Sequence, residues 1–277
     1  RTALQCGMNA CPTPPSVPLA VRAWAWVLGL WCLTLAWDAA GWDLAVVGLW
    51  ADARGFPWRH HWGLERVLLD AARHLATGLY LALWGLVWRP LGPWRTLTRA
   101  QRLEVALGAT WGLLAVNVLK RESLTSCPWD LQAFGGVARH VSHWRWGVAD
   151  GGPGHCFPGG HASAALAGLA LPLPWLASGE PAQRVWGRRA LVAVLGLGVV
   201  LGLTQTVRGA HYPSHTLWTA ALCATLAVLN HRVWRRATVW WVARHSRCAS
   251  QARSSNPCSR STDAGAATGA CCHSQAQ

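Results

Sequence analysis

Six apolar runs punctuate the chain, at residues 17–37, 74–88, 103–119, 162–177, 190–207 and 216–229. A helix that spans a bilayer needs about 20 residues, and several of these runs are shorter. Taken singly, each short run also fits a buried helix of a soluble protein. Six in succession, with so few charges inside them, predict an all-α, polytopic membrane protein: a six-transmembrane-helix bundle over residues 17–245. The second and fourth runs are expected to extend into their flanks, the second from near Leu64. The first is long and lacks a small-residue cleavage site, so it reads as an uncleaved span rather than a signal peptide.

Composition supports a membrane. Of 277 residues, 52% are hydrophobic and 13% charged, against about 25% charged in soluble domains. The formal charge of +14 raises nucleic acid as a partner. The arginines, however, lie between apolar runs and in the last third rather than in one basic patch, which argues against nucleic-acid binding. Their placement instead orients the spans. Arg89, Arg95, Arg99 and Arg102 crowd the link between runs two and three. Arg184, Arg188 and Arg189 fill the link between four and five, and Arg232, Arg235, Arg236, Arg244 and Arg247 follow six. With six spans these links share the cytoplasmic side with both termini. Segments 38–73, 120–161 and 208–215 then face the opposite, periplasmic side of a bacterial inner membrane.

The flanks carry less. Met8 is the single methionine and the expected start, leaving 1–16 as an N-terminal tail. Residues 231–244 interleave arginine with Val233, Trp234, Val239, Trp240 and Trp241, the pattern of an amphipathic helix on an anionic leaflet. From 246 to 277 the chain is rich in Ser, Ala and Cys and reads as a disordered cytoplasmic tail. Its Cys271, Cys272 and His273 lack the paired spacing of a zinc site. In segment 38–73, Trp58, Trp62, Leu64, Val67 and Leu68 suit an interfacial helix, and the His60–His61 pair reads as surface rather than as metal ligands.

Three stretches at the outer ends of the runs hold the candidate chemistry: LKRESLTSCPWDL (119–131), CFPGGHASAA (156–165) and QTVRGAHYPSH (205–215). In the second, Gly159 and Gly160 precede a helical pattern, where uncovered amides and the helix dipole favour an anion. His161 beside them can exchange a proton near neutral pH. Lys120, in the first, is the one lysine among 25 basic residues.

Together these stretches resemble the type-2 phosphatidic acid phosphatase superfamily of membrane phosphatases. Its signatures are Lys, six residues, Arg-Pro; Pro-Ser-Gly-His; and Ser-Arg, five residues, His, three residues, Asp. Here Lys120 is followed after six residues by Cys127-Pro128, and Pro158-Gly159-Gly160-His161 matches the second signature with Gly for Ser. His211 matches the third, with Thr204-Gln205 in place of Ser-Arg and His215 in place of Asp. The resemblance covers residues 103–230 and looks closest to a divergent bacterial branch with a Cys-Pro-Trp-Asp motif.

The resemblance implies a phosphatase acting on a lipid phosphate or pyrophosphate in two steps, with no cofactor and no metal. His211 attacks phosphorus to form a phosphohistidine, His161 protonates the leaving oxygen, and water releases phosphate. Lys120, Gly159 and Gly160 bind the phosphate. The departures remove two guanidiniums. Arg208, three residues after Gln205 on a shared helical face, is the candidate to refill that charge. His215, four residues after His211, can orient the nucleophile's ring, and Asp130 is a possible replacement carboxylate or else a turn residue.

Cys127 lies seven residues after Lys120 and Cys156 five before His161. If both site ends meet one phosphate, a disulfide between these cysteines is expected; the alternative is two separate thiols. Two further functions stay open: a phosphotransferase that passes the phosphohistidine to another acceptor, and a lipid-headgroup binding or transport protein without catalysis. The lipid itself is not named by the sequence.

Overall fold

The computed structural model describes residues 19–52 and 54–254. The expected start at Met8, the 1–16 tail and the cysteines near the C-terminus lie outside the described residues. Among those described, the chain is all-helical, with no strand and only isolated bridges at Asp52–Gly55 and Leu131–Ala138.

The breaks between helices follow the backbone chemistry of the sequence. Helix α1 (Leu19–Ala40) ends at Gly41, whose φ of 65° turns the chain into the short α2 (Trp42–Gly48). A π-helical stretch, Gly63–Ala71, runs into α3 (Ala72–Trp88), so the second apolar run does extend N-terminally. Helix α4 (Arg99–Glu122) opens on a capping box between Thr98 and Gln101. The fourth run is not one helix. It is α5 (Gly160–Leu166), a 3₁₀ turn at Ala167–Ala170 and α6 (Pro172–Leu176). Pro172 and Pro174 lack the N–H groups a continuing helix needs. Helices α7 (Pro181–Val207) and α8 (Pro213–Ser254) each begin on proline, where the missing N–H costs nothing.

Among the described residues, three helices are long and apolar enough to cross a membrane: Val21–Ala40 within α1, all of α4 and all of α7. Large apolar side chains point outward from α1 and α7, among them Trp26, Leu28, Val192 and Val199. The fold is that of a membrane protein.

The described residues up to Val233 form one compact unit. Its core joins α1, α4, the α5–α6 segment, α7 and α8 through Val27, Val116, Leu166, Val194 and Cys223. On α7, a Cβ at Gly202 would sit 2.5 Å from the Thr216 side chain, so glycine permits the close approach of α7 to α8. Arg102 is buried; it donates to the carbonyls of Val87, Trp94 and Leu97, closing the end of α3 instead of facing headgroups. Glu104 on α4 pairs with His231 on α8 at 2.5 Å.

Residues 234–277 form the second unit, described as far as Ser254. There the helix carries Arg244 over the Trp240 ring at 5.2 Å. It continues past 246, into the stretch expected to be disordered. The Ala, Arg and Gln residues of that stretch have high intrinsic helix propensity.

Candidate active site

Lys120 closes α4, His161 opens α5, Arg208 follows α7, and His211 and His215 flank the start of α8. All five therefore gather at one end of the compact unit. The α7–α8 turn is tight because Gly209 takes φ 71°, with the Phe56 ring packed where a Cβ would stand. Ala210 and His211 donate their amides to the Gln205 carbonyl at 2.8 and 3.2 Å, which fixes His211 at the turn.

The histidine geometry is specific. His161 and His211 are neighbours, with ring centroids 6.1 Å apart and planes tilted by 54°. His211 is 3% exposed, and its Nδ1 lies 3.5 Å from Nδ1 of the fully buried His215. Burial, then the charge on Lys120, hold the His211 ring well below its ordinary pKa, so it is a neutral base. His161 Nδ1 is buried without a partner.

The cations sit around this pair. The Lys120 side chain runs along Gly160, where an added Cβ would come within 3.7 Å of Nζ. Arg208 is 3% exposed; its Nε donates to the Arg59 carbonyl at 2.9 Å and its Nη1 to Gln205 Oε1 at 3.4 Å. Its Nη2 is 3.8 Å from Glu65. The helical spacing from Gln205 thus appears as a direct bond, and a carboxylate from the π-helix joins it. Gln205 keeps its buried Nε2 without a partner.

Two assignments change. The Gly159 amide donates to the His215 carbonyl at 3.1 Å, so it is not available to an anion. Gly160 also packs on the Lys120 side chain and Gly159 on the His215 backbone. Asp130 sits in a 3₁₀ turn, Pro128–Asp130, with its carbonyl held by the Ala138 amide at 2.7 Å. Among the described residues no hydrogen bond or ion pair joins it to a site histidine. It is a turn residue, and burial raises its pKa.

The ends of the 123–156 loop run side by side: His155 bonds Ser123 at 2.8 Å and Cys156 bonds Thr125 at 2.9 Å, backbone to backbone. Cys127 and Cys156 form a disulfide with Cα atoms 5.2 Å apart. Cys156 Sγ lies 3.4 Å from His211 Nδ1. These two sulfurs and the ring form a compact donor group, but bonded to each other the sulfurs offer no thiolate to a metal. The Cys-Pro-Trp-Asp turn also meets the α7–α8 turn, where the Trp129 amide bonds the Gly209 carbonyl at 2.9 Å. The Arg59 guanidinium covers the Trp129 ring at 4.3 Å.

Several residues near the site were not singled out in the sequence: Arg59, Glu65, Asp38, Asp43 and His143. The available signal was electrostatic. An acid at the end of an apolar helix, as Asp38 is on α1, is costly in a membrane and marks a functional position by default.

A family model described as the PAP2 superfamily matches residues 102–239. That segment holds the α4 cation, the α5 histidine and the α7–α8 turn together. The chain belongs to the PAP2 superfamily, a family of phosphatases. Comparison with curated proteins and with solved structures found no match.

Proposed function

We propose that this chain is an integral-membrane phosphatase that hydrolyses a lipid phosphate or pyrophosphate through a phosphohistidine on His211. The observation that carries the reading is the pair of neighbouring rings, His161 and His211, with centroids 6.1 Å apart and the half-buried Lys120 and buried Arg208 beside them. A phosphoryl group between the rings meets a nucleophile on one side and a proton donor on the other. Hydrolysis of a phosphate ester needs positioning and charge more than covalent machinery.

In this reading His211 attacks with Nε2, so its Nδ1 must carry the proton, with His215 Nδ1 as acceptor. Lys120 and Arg208 stabilise the equatorial oxygens. The incoming phosphate offsets these cations and lets His161 hold the proton that it passes to the leaving oxygen. Water then attacks the phosphohistidine, and His161 takes back a proton.

We further assign six membrane crossings, adding the Gly63–Trp88 segment, the broken α5–α6 segment and the first part of α8 to the three long apolar helices. The arginine-rich links then face the cytoplasm and the site faces the periplasm of a bacterial inner membrane. Rapid acid-free quench with ³²P-labelled phosphatidate tests the reading. A base-stable, acid-labile phosphoprotein that decays to inorganic phosphate supports it, transfer to an added alcohol instead of water marks a phosphotransferase, and bound lipid with no phosphoprotein overturns catalysis.

A further inference from the structure

We propose that Asp38 and His143 are positioning residues for this reaction: acting through His215, they fix His211 in its nucleophilic tautomer and balance the charge that develops on its ring. The proposal rests on the assignment of His211 as nucleophile.

His215 stands where the family resemblance leads one to expect a carboxylate. A neutral imidazole has one acceptor and one donor nitrogen. If His215 Nδ1 accepts from His211 Nδ1–H, across 3.5 Å, then His215 Nε2 must carry a hydrogen. That Nε2 is buried in a residue with 0% exposure and has no protein partner. A buried N–H left unbonded is costly, so a second acceptor is required.

The neighbouring ring is His143, edge-to-face with His215 at a centroid separation of 6.0 Å. His143 is stacked on Phe157 at 4.4 Å with the rings 7° apart, which fixes its plane. Its Nε2 is 3.1 Å from Asp38 Oδ2. The Asp38 side chain is 6% exposed and also receives the indole N–H groups of Trp218 at 2.8 Å and Trp144 at 3.2 Å. Its other oxygen, Oδ1, is buried without a partner. Among the described residues no lysine or arginine pairs with Asp38; its ionisable partner is His143.

Asp38 thus holds the proton on His143 Nε2 and leaves Nδ1 as a lone pair. A cavity of about 70 Å³, lined by Asp38, His143 and His215 among others, has room for a water to complete the link from His215. Hydrogen bonds then run in one direction, from His211 Nδ1 through His215 and His143 to Asp38. The opposite direction would place a hydrogen on His211 Nε2 and abolish its nucleophilicity.

In the first step the bond from His211 Nε2 to phosphorus forms and the bond to the leaving oxygen breaks, with the proton for that oxygen coming from His161. The His211 Nδ1 hydrogen stays in the chain, shared toward His215. The Asp38 charge balances the ring, and nothing is oxidised or reduced.

The test uses full-length protein in mixed micelles with phosphatidate, comparing Asp38→Asn in two backgrounds, with His215 intact and with His215→Asp. His215→Asp sets a carboxylate directly against His211 and makes the longer chain redundant. With His215 intact, Asp38→Asn should lower kcat by about tenfold or more with KM changed less than about twofold. In the His215→Asp background the same substitution should change kcat by less than about twofold. Equal losses in both backgrounds, or no loss in the first, overturn the proposal and leave Asp38 a packing partner of Trp144 and Trp218. If Asp38→Asn fails to fold, His143→Phe keeps the stack on Phe157, removes both ring nitrogens, and is read by the same two outcomes. Wild-type phosphoenzyme, measured in parallel, separates failure of this proposal from failure of His211 as nucleophile.

Discussion

Asp43 on α2 caps α8 from outside: one carboxylate oxygen accepts the Ser214 amide at 3.0 Å and the other accepts the Ser214 hydroxyl, across 171 residues of sequence. Ser214 lies between His211 and His215, so this contact holds the turn that bears both rings. The Trp37 indole donates to the same carboxylate at 2.8 Å, fixing Asp43 in turn. Asp43→Ala removes a helix cap, a loss of about 1–2 kcal/mol. We expect a lower Tm in detergent and a kcat that falls further than KM rises. An unchanged kcat in folded Asp43→Ala protein would separate the cap from the site.

Arg208 should act on the transition state. Arg208→Ala is expected to lose about 2–4 kcal/mol of transition-state stabilisation, the size associated with losing one oxyanion donor. Arg208→Lys should recover only part, since an ammonium cannot serve Arg59, Gln205 and a phosphate oxygen with a planar fork. Steady-state kcat/KM for the three proteins measures this. A rate unchanged in Arg208→Ala would confine the residue to its contacts with Glu65 and the Arg59 carbonyl.

His161 acts in this account as the proton donor to the leaving oxygen. His161→Ala should lower kcat on phosphatidate by about 100-fold, while an aryl phosphate, whose leaving group departs without a proton, should be partly spared. Steady-state rates on the two substrates measure the difference, and equal losses on both would contradict the role of His161.

The disulfide closes a separation of 29 residues, for which the chain-entropy relation gives about 3–4 kcal/mol. The Cys127→Ser/Cys156→Ser double variant should melt well below the wild type. Its turnover should drop as well, because Cys156 Sγ packs 3.4 Å from His211 Nδ1. Equal Tm values for the two proteins would remove the bridge from the stability account.

What the sequence made legible was local. Apolar runs mark the helices because burial in lipid needs long uncharged stretches, and proline and glycine mark the breaks. Pro172 and Pro174 lie inside the fourth run, and two prolines so close divide it into α5 and α6. The site stretches could be read because Lys120, His161 and His211 each sit in a short motif at the end of a run. The residues that tie them together could not. Asp43 reaches Ser214 across 171 residues, and Asp38 reaches His143 across 105. No periodicity encodes such pairs. The Gly159 amide is hidden for the same reason, since its acceptor, the His215 carbonyl, is on another helix. Asp130 is a carboxylate near the right motif, but its turn geometry, not its charge, decides its place.

The measurement that bears most directly on the central claim is the position of the phosphoryl group in the trapped intermediate. After quench of a phosphatidate turnover under neutral or basic conditions, peptide mass spectrometry of the labelled protein should place phosphate on Nε2 of His211. His211→Ala protein that is folded and inserted should carry no label and release no phosphate. Phosphate on another residue, or wild-type turnover retained by His211→Ala, would contradict the account.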